Sequence, residues 1–254
     1  MHEFPRLHAT ALLVFTLIVG IAAPAFAQDT EVKPPPSDPV TPVPRDRDFA
    51  WMPLAEWNRQ HAAFCAAAAK GEAELVFHGD SIIASAQWSE NWKKAFAQYR
   101  WVDFGLGGDR TQNLLWRIEN GEIGALKPKV VVVLIGTNNL FTTKRDVEDT
   151  VRGIAAVAQK LHAAYPSAKI LVLGVFPRGE APNAPERIPI VKINKALAKL
   201  DDGQSIFVRD VGNVFLEPNG TLPRAISPDQ LHLSEEGLRR WAEAIAPMVQ
   251  KLMQ

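Results

Sequence analysis

Apolar and polar positions follow two alternating rhythms along this chain, beginning near residue 54. In one, apolar residues recur about every 3.6 positions. Val147, Val151, Ile154, Ala158 and Leu161 form such a set, as do Leu238, Trp241, Ile245 and Val249. Each set builds one apolar helix face. The same rhythm predicts helices in "AEWNRQHAAFCAAAAKG" and "RIPIVKINKALAKL". Ser234 is placed to cap the last helix, with Glu235 and Glu236 in its first turn. The second rhythm is a short continuous apolar run: Glu74–Phe77, Trp101–Phe104, Val130–Ile135, Ile170–Val175 and Ile206–Val208. The third run has no polar alternation at all, as expected of a strand covered on both faces. Strands and helices in alternation predict an α/β fold, a parallel sheet wrapped by helices.

In such a fold ligands bind beyond the carboxyl ends of the strands. The chain's unusual residues fall there. Gly79-Asp80-Ser81 follows the first strand, "GLGGDRT" (105–111) the second and "GTNN" (136–139) the third. A fourth stretch, "SPDQLHLS", carries Asp229 and His232 just ahead of the final helix. A serine hydroxyl needs a base before it attacks at neutral pH, and His232 is a candidate for that base. Asp229, three residues earlier, is placed to orient the imidazole. Attack on a carbonyl also needs donors for the developing oxyanion. The backbone N–H groups of Ser81 and Gly108 and the amide of Asn138 are candidates.

Taken in order, "GDS", "GLGGD", "GTNN" and "DQLH" resemble the four blocks of the SGNH (GDSL) hydrolases, spanning residues 79–232. Within that superfamily, "GGDRTQNLLWRIENGEIGALKPKVVVVLIGTNN" and "AKILVLGVFPRGEAPN" are similar to the catalytic subunits of platelet-activating-factor acetylhydrolase type Ib. That group shares the Asn-Asn form of the third block, where many superfamily members have Asn-Asp. The resemblance implies a flavodoxin-like, three-layer α/β/α sandwich with five parallel strands. It also implies Ser81 as nucleophile, Asp229 and His232 as its triad partners, and Ser81, Gly108 and Asn138 as oxyanion donors. The implied activity is hydrolysis of short acyl esters, chiefly acetyl, with neither metal nor organic cofactor. A homodimer is implied as well, although the sequence itself offers no interface.

Other readings compete for the same residues. Ser81 also suits a helix cap, Asn138 an ordinary turn, and Asp229 with His232 a loop that anchors the last helix. "GLGGDRT" lacks the third glycine of a dinucleotide-binding turn, Arg110 standing in its place. Ile83 stands where the nucleophile elbow of an α/β-hydrolase needs glycine. The histidines outside the leader, at 61, 78, 162 and 232, offer no pair at metal-ligand spacing. His78 directly precedes the first block and is a candidate to line the site. Trp88, Trp92 and Trp116 lie near the blocks, placed either to stack on a sugar or to pack in the core. Cys65, the only cysteine, reads as a small core residue and excludes an intrachain disulfide.

Composition narrows the choice of partners. With 28 acidic and 28 basic residues, the chain lacks the net positive charge that nucleic acid or an anionic membrane surface favours. Residues 1–27 combine Arg6, an apolar stretch and Ala25-Phe26-Ala27, the pattern of a cleaved secretory signal. Export to a periplasm or the medium is therefore expected, with no stable membrane insertion after cleavage. Residues 28–50 are proline-rich and read as an extended tether, leaving one domain over residues 51–254. Export makes an O-acetylated carbohydrate the alternative substrate, with lysophospholipid or thioester hydrolysis further alternatives. A non-enzymatic protein that binds acylated glycans is the reading from a different class.

Overall fold

A computed structural model describes residues 38–140 and 146–254. The signal-peptide reading, and the tether reading up to residue 37, lie outside the described residues.

All five predicted strands form: β1 (Leu75–Gly79), β2 (Trp101–Gly105), β3 (Val130–Leu134), β4 (Lys169–Leu173) and β5 (Ile206–Arg209). They make one parallel sheet in the order β2-β1-β3-β4-β5. The expected long helices also form: α1 (Leu54–Lys70), α5 (Asp146–Ala164), α6 (Arg187–Leu197) and α7 (Glu235–Leu252). Ser234 caps α7 as expected, its hydroxyl accepting from Gly237 N–H at 3.2 Å. Three short helices join them: α2 (Ser81–Ala86), α3 (Glu90–Ala95) and α4 (Thr111–Arg117). At six or seven residues each, α3 and α4 are too short to display a period, so the pattern did not signal them.

Strand side chains alternate between two cores, which is why a continuous run of valines suits β3. Val131 and Val133 join Val76, Ile170, Leu114, Ile154 and Ile193 on the face covered by α4, α5 and α6. Val130, Val132 and Leu134 join Phe77, Ile83, Trp92, Trp241 and Ile245 on the face covered by α2, α3 and α7. The sandwich therefore has three layers, as expected. Trp92 is fully buried between Phe96 and Trp241, with ring centroids 4.8 and 4.5 Å away. It is a core residue and is unavailable to a ligand.

Residues 38–50 correct the tether reading. Asp38 pairs with Arg152 at 3.2 Å, and the Pro39 carbonyl accepts from the Thr111 hydroxyl at 3.0 Å. Val43 exchanges bonds with α4: its N–H donates to Gln112 O and its carbonyl accepts from the Asn113 amide. Arg45 is buried. Proline removes donors, but the groups that remain dock through polar contacts that leave no hydrophobic period in the sequence.

The sheet edge is close-packed where β1 and β2 end. A Cβ at Gly79 would come 2.1 Å from the Leu134 carbonyl oxygen, and one at Gly105 would come 2.1 Å from Ala84 N. Helix α2 can cross there only because these positions carry no side chain. Gly105→Ala should therefore cost about 1–3 kcal/mol through overpacking. The check is the urea midpoint of the two proteins, and an unchanged midpoint would mean that α2 does not sit against β2 as described.

Candidate active site

The sheet order reverses direction across the β1–β3 pair, where chain segments leave toward opposite faces and open a crevice. Ser81 follows β1 and opens α2. Asp80 caps that helix, its Oδ1 accepting from Ile82 N–H at 3.0 Å, so the helix-cap role considered for Ser81 belongs to its neighbour. Asn138 follows β3 in the short turn Thr137–Asn139.

His232 reaches Ser81 from the loop before α7. Its Nε2 lies 2.8 Å from Ser81 Oγ, and its Nδ1 lies 2.7 Å from Asp229 Oδ2. The other oxygen of Asp229 accepts from the backbone N–H groups of His232 (2.7 Å) and Leu231 (3.0 Å). One carboxylate thus folds its own loop and holds the imidazole. Gln230, between them, has φ 65°, the one positive value for a non-glycine among the described residues. Such strain persists only where the surroundings over-determine it. Here the Ser227 hydroxyl donates to His232 O at 2.9 Å and the Ser227 carbonyl accepts from Gln230 N–H at 3.2 Å. Burial raises the Asp229 pKa, but the His232 and Leu231 donors outweigh it and hold the carboxyl below its ordinary range.

The second and third blocks meet beside the serine. Gly108 takes φ 75° in the turn after β2, and the Asn138 amide donates to Asp109 O at 2.9 Å. Asn139 is buried and binds Thr111 on both sides of its amide: Oδ1 accepts from the backbone N–H at 3.0 Å, and Nδ2 donates to the hydroxyl at 3.1 Å. It also donates to Gln112 Oε1 at 3.1 Å. An ionised aspartate has no donor for either oxygen. The Asn-Asn form therefore has a local reason.

Beneath this turn lies a buried charge cluster that sequence reasoning missed. Arg117 is fully buried. It donates to Asp109 Oδ2 at 2.7 Å, Glu122 Oε1 at 2.5 Å, Phe104 O at 3.1 Å and Gly79 O at 3.1 Å. Asp109 also accepts from Trp57 Nε1 at 2.7 Å, and His61 Nδ1 lies 3.1 Å from Glu122. Arg45 donates to the Gly107 carbonyl and lies 3.5 Å from Asp109. Two guanidinium groups thus face two carboxyl groups. The one signal in the sequence was an arginine and a glutamate interrupting the apolar run of "LLWRIENGE".

Several candidates fall outside the site. His78 is fully buried on the opposite side of β1, 3.6 Å from Glu122 and packed on Phe104. Burial pushes its pKa down to about 4, so the ring is neutral and does not line the crevice. Trp116 packs on Trp57 and His61, with centroids at 5.6 and 5.1 Å. Trp88 differs from these in being largely exposed, as a stacking side chain must be. Cys65 is half-buried, its Sγ 3.4 Å from Asn120 O, rather than a core residue. Among the described residues no group of three His, Cys, Asp or Glu could hold a metal ion, and no helix is long and apolar enough to cross a membrane.

Comparison with known proteins decides the family. Residues 77–240 match the model of the GDSL-like Lipase/Acylhydrolase family. This chain belongs to that family. The platelet-activating factor acetylhydrolase IB subunit alpha2 of Rattus norvegicus is 35% identical over 199 residues, 78% of this chain and 85% of that protein. Two solved structures share the fold of this acylhydrolase. A GDSL-like lipase from Bacteroides thetaiotaomicron superposes with TM-score 0.64 at 22% identity, covering 78% of this chain and 98% of its own. A carbohydrate acetylesterase from Sinorhizobium meliloti gives TM-score 0.56 at 17% identity, covering 70% and 98%. The acylhydrolase is a carboxylic ester hydrolase.

Two outcomes test this electrostatic account. Removing Arg117 as Arg117→Met leaves Asp109 and Glu122 buried without their main cation. This should cost about 3–5 kcal/mol in a urea titration. A loss below about 1 kcal/mol would contradict the cluster's role. Asp103, buried in β2, accepts from Gly105 N–H at 2.8 Å, and burial pushes its pKa up to about 8. Unfolded, it ionises near 3.9. Between those values the native state binds the extra proton, so its stability falls as pH rises. Relative to Asp103→Asn, the parent should lose stability steadily from pH 5 to 8. A constant difference in urea midpoint would contradict this.

Proposed function

We propose that this acylhydrolase cleaves short-chain acyl esters, chiefly acetyl, by nucleophilic catalysis at Ser81. His232 accepts the Ser81 proton as Oγ attacks the carbonyl, and Asp229 stabilises the imidazolium that forms. The tetrahedral oxyanion is met by the N–H groups of Ser81 and Gly108 and by the Asn138 amide. One amide hydrogen of Asn138 is held by Asp109 O, which aims the other at the substrate. His232 then protonates the leaving alcohol. Water attacks the acyl-enzyme, giving its proton to His232, and the acid departs as Ser81 recovers its hydroxyl proton.

The observation that carries this reading is the Asp229–His232–Ser81 line, with hydrogen-bond distances of 2.7 and 2.8 Å. The acetyl preference is supported by likeness to the acetylhydrolase subunits. A second reading, O-acetylated carbohydrate as substrate, is favoured by the leader pattern in residues 1–27, which supports export to a periplasm or the medium.

Hydrolysis of p-nitrophenyl acetate, butyrate and octanoate tests the mechanism. The parent should prefer acetate, and Ser81→Ala should lose at least about 1000-fold in kcat, since the triad acts as a unit. Asn138→Ala should lose about 100- to 1000-fold with little change in KM. Equal activity of parent and Ser81→Ala would sink the assignment.

A further inference from the structure

An exposed tryptophan stands against the turn that carries Gly108. A Cβ built on Gly108 would meet Trp51 Cη2 at 2.7 Å, and one on Gly107 would meet Trp51 Cζ3 at 3.1 Å. The indole edge occupies the space a side chain at these positions would need, so it forms a wall beside the proposed oxyanion donor. Trp51 is nevertheless 54% exposed. A large aromatic left half in water at the rim of a reaction site leaves apolar surface for something else to cover.

The ring is also held in place. Phe49 and Met52 form a two-residue bridge, bonded at 3.1 and 2.9 Å, which closes a tight turn around Trp51. Phe49 stacks on Trp51 with centroids 5.3 Å apart and planes 3° from parallel. The Arg45 guanidinium lies 4.8 Å from the Phe49 centroid and 5.8 Å from that of Trp51, while donating to Gly107 O. One buried arginine therefore ties the aromatic pair to the oxyanion turn. Just before this pair in the chain, Arg47 pairs with Asp46 at 3.3 Å, and both act electrostatically on Arg110 next to the turn. A flat, rigid apolar surface in a segment that also carries ionic groups suits a ring with an apolar C–H face and a hydroxylated edge. A flexible acyl chain needs a channel and makes no use of polar neighbours.

We infer that Trp51, with Phe49 behind it, is a stacking platform for the pyranose ring of an O-acetylated sugar whose ester carbonyl enters at Gly108. The inference rests on the short-acyl esterase reading and adds the class of alcohol. Stacking is made by the alcohol part of the substrate, so it separates sugar esters from esters that lack a ring.

The test compares kcat/KM of the full chain on tetra-O-acetyl-xylopyranose and on ethyl acetate, by titration of released acid. For Trp51→Ala the ratio of sugar ester to ethyl acetate should fall at least about tenfold, mainly through KM. Trp51→Phe, which keeps a smaller ring, should fall less. Equal losses on both esters would make Trp51 a structural prop of the turn and overturn the proposal, as would an unchanged ratio. A parent active on ethyl acetate but not on the sugar ester would overturn the platform and leave the esterase reading standing. Inactivity of the parent on both would count against the esterase reading itself.

Discussion

The site depends on one buried guanidinium. Arg117 binds the carbonyls that end β1 and β2, the carboxylate next to the Gly107-Gly108 turn, and Glu122 on the chain that follows α4. Its pKa is lowered by burial, but the two carboxylates beside it outweigh that effect and raise it overall. Burying such a group is costly unless every donor finds a partner. Here the partners are the backbone atoms whose positions matter for chemistry. Gly79 O is two residues before Ser81, and Asp109 carries both the carboxylate that binds Arg117 and the carbonyl that holds the Asn138 amide. Electrostatic satisfaction of the interior and placement of the proposed oxyanion donors are the same set of bonds.

Above that base, the third member of the serine–histidine–aspartate line costs little extra structure. Asp229 and His232 share a loop of four residues, so the carboxylate needs no strand of its own. Its Oδ1 closes the loop on two backbone donors while its Oδ2 takes the imidazole. The left-handed Gln230 between them is the conformational cost of so tight an arrangement.

Much of this was legible in the residues. Strands and long helices were readable because each is encoded by local periodicity, the candidates Ser81, Gly108 and Asn138 because they interrupt apolar runs at strand ends, and Asp229 with His232 because they sit three residues apart just ahead of the last helix. Arg117 and Glu122 were not, because the value of a buried charge lies in partners brought together by the fold. Trp92 and His78 misled for the converse reason: proximity in sequence to a motif does not bring a side chain to the surface, and both are buried, Trp92 between Phe96 and Trp241 and His78 against Phe104. Arg45 was hidden in a proline-rich segment whose lack of period suggested a tether, and Trp51 stands just past its end, ahead of the first periodic stretch. Residues 38–50 dock through ion pairs and backbone bonds, which hydrophobic patterning cannot register.

The central claim is that Ser81 is the activated nucleophile. It is tested most directly by treating the chain with a fluorophosphonate and mapping the adduct by peptide mass spectrometry. The account predicts a single stoichiometric adduct on Ser81, strongly slowed in His232→Ala. An unlabelled chain, or label on another residue, would contradict it.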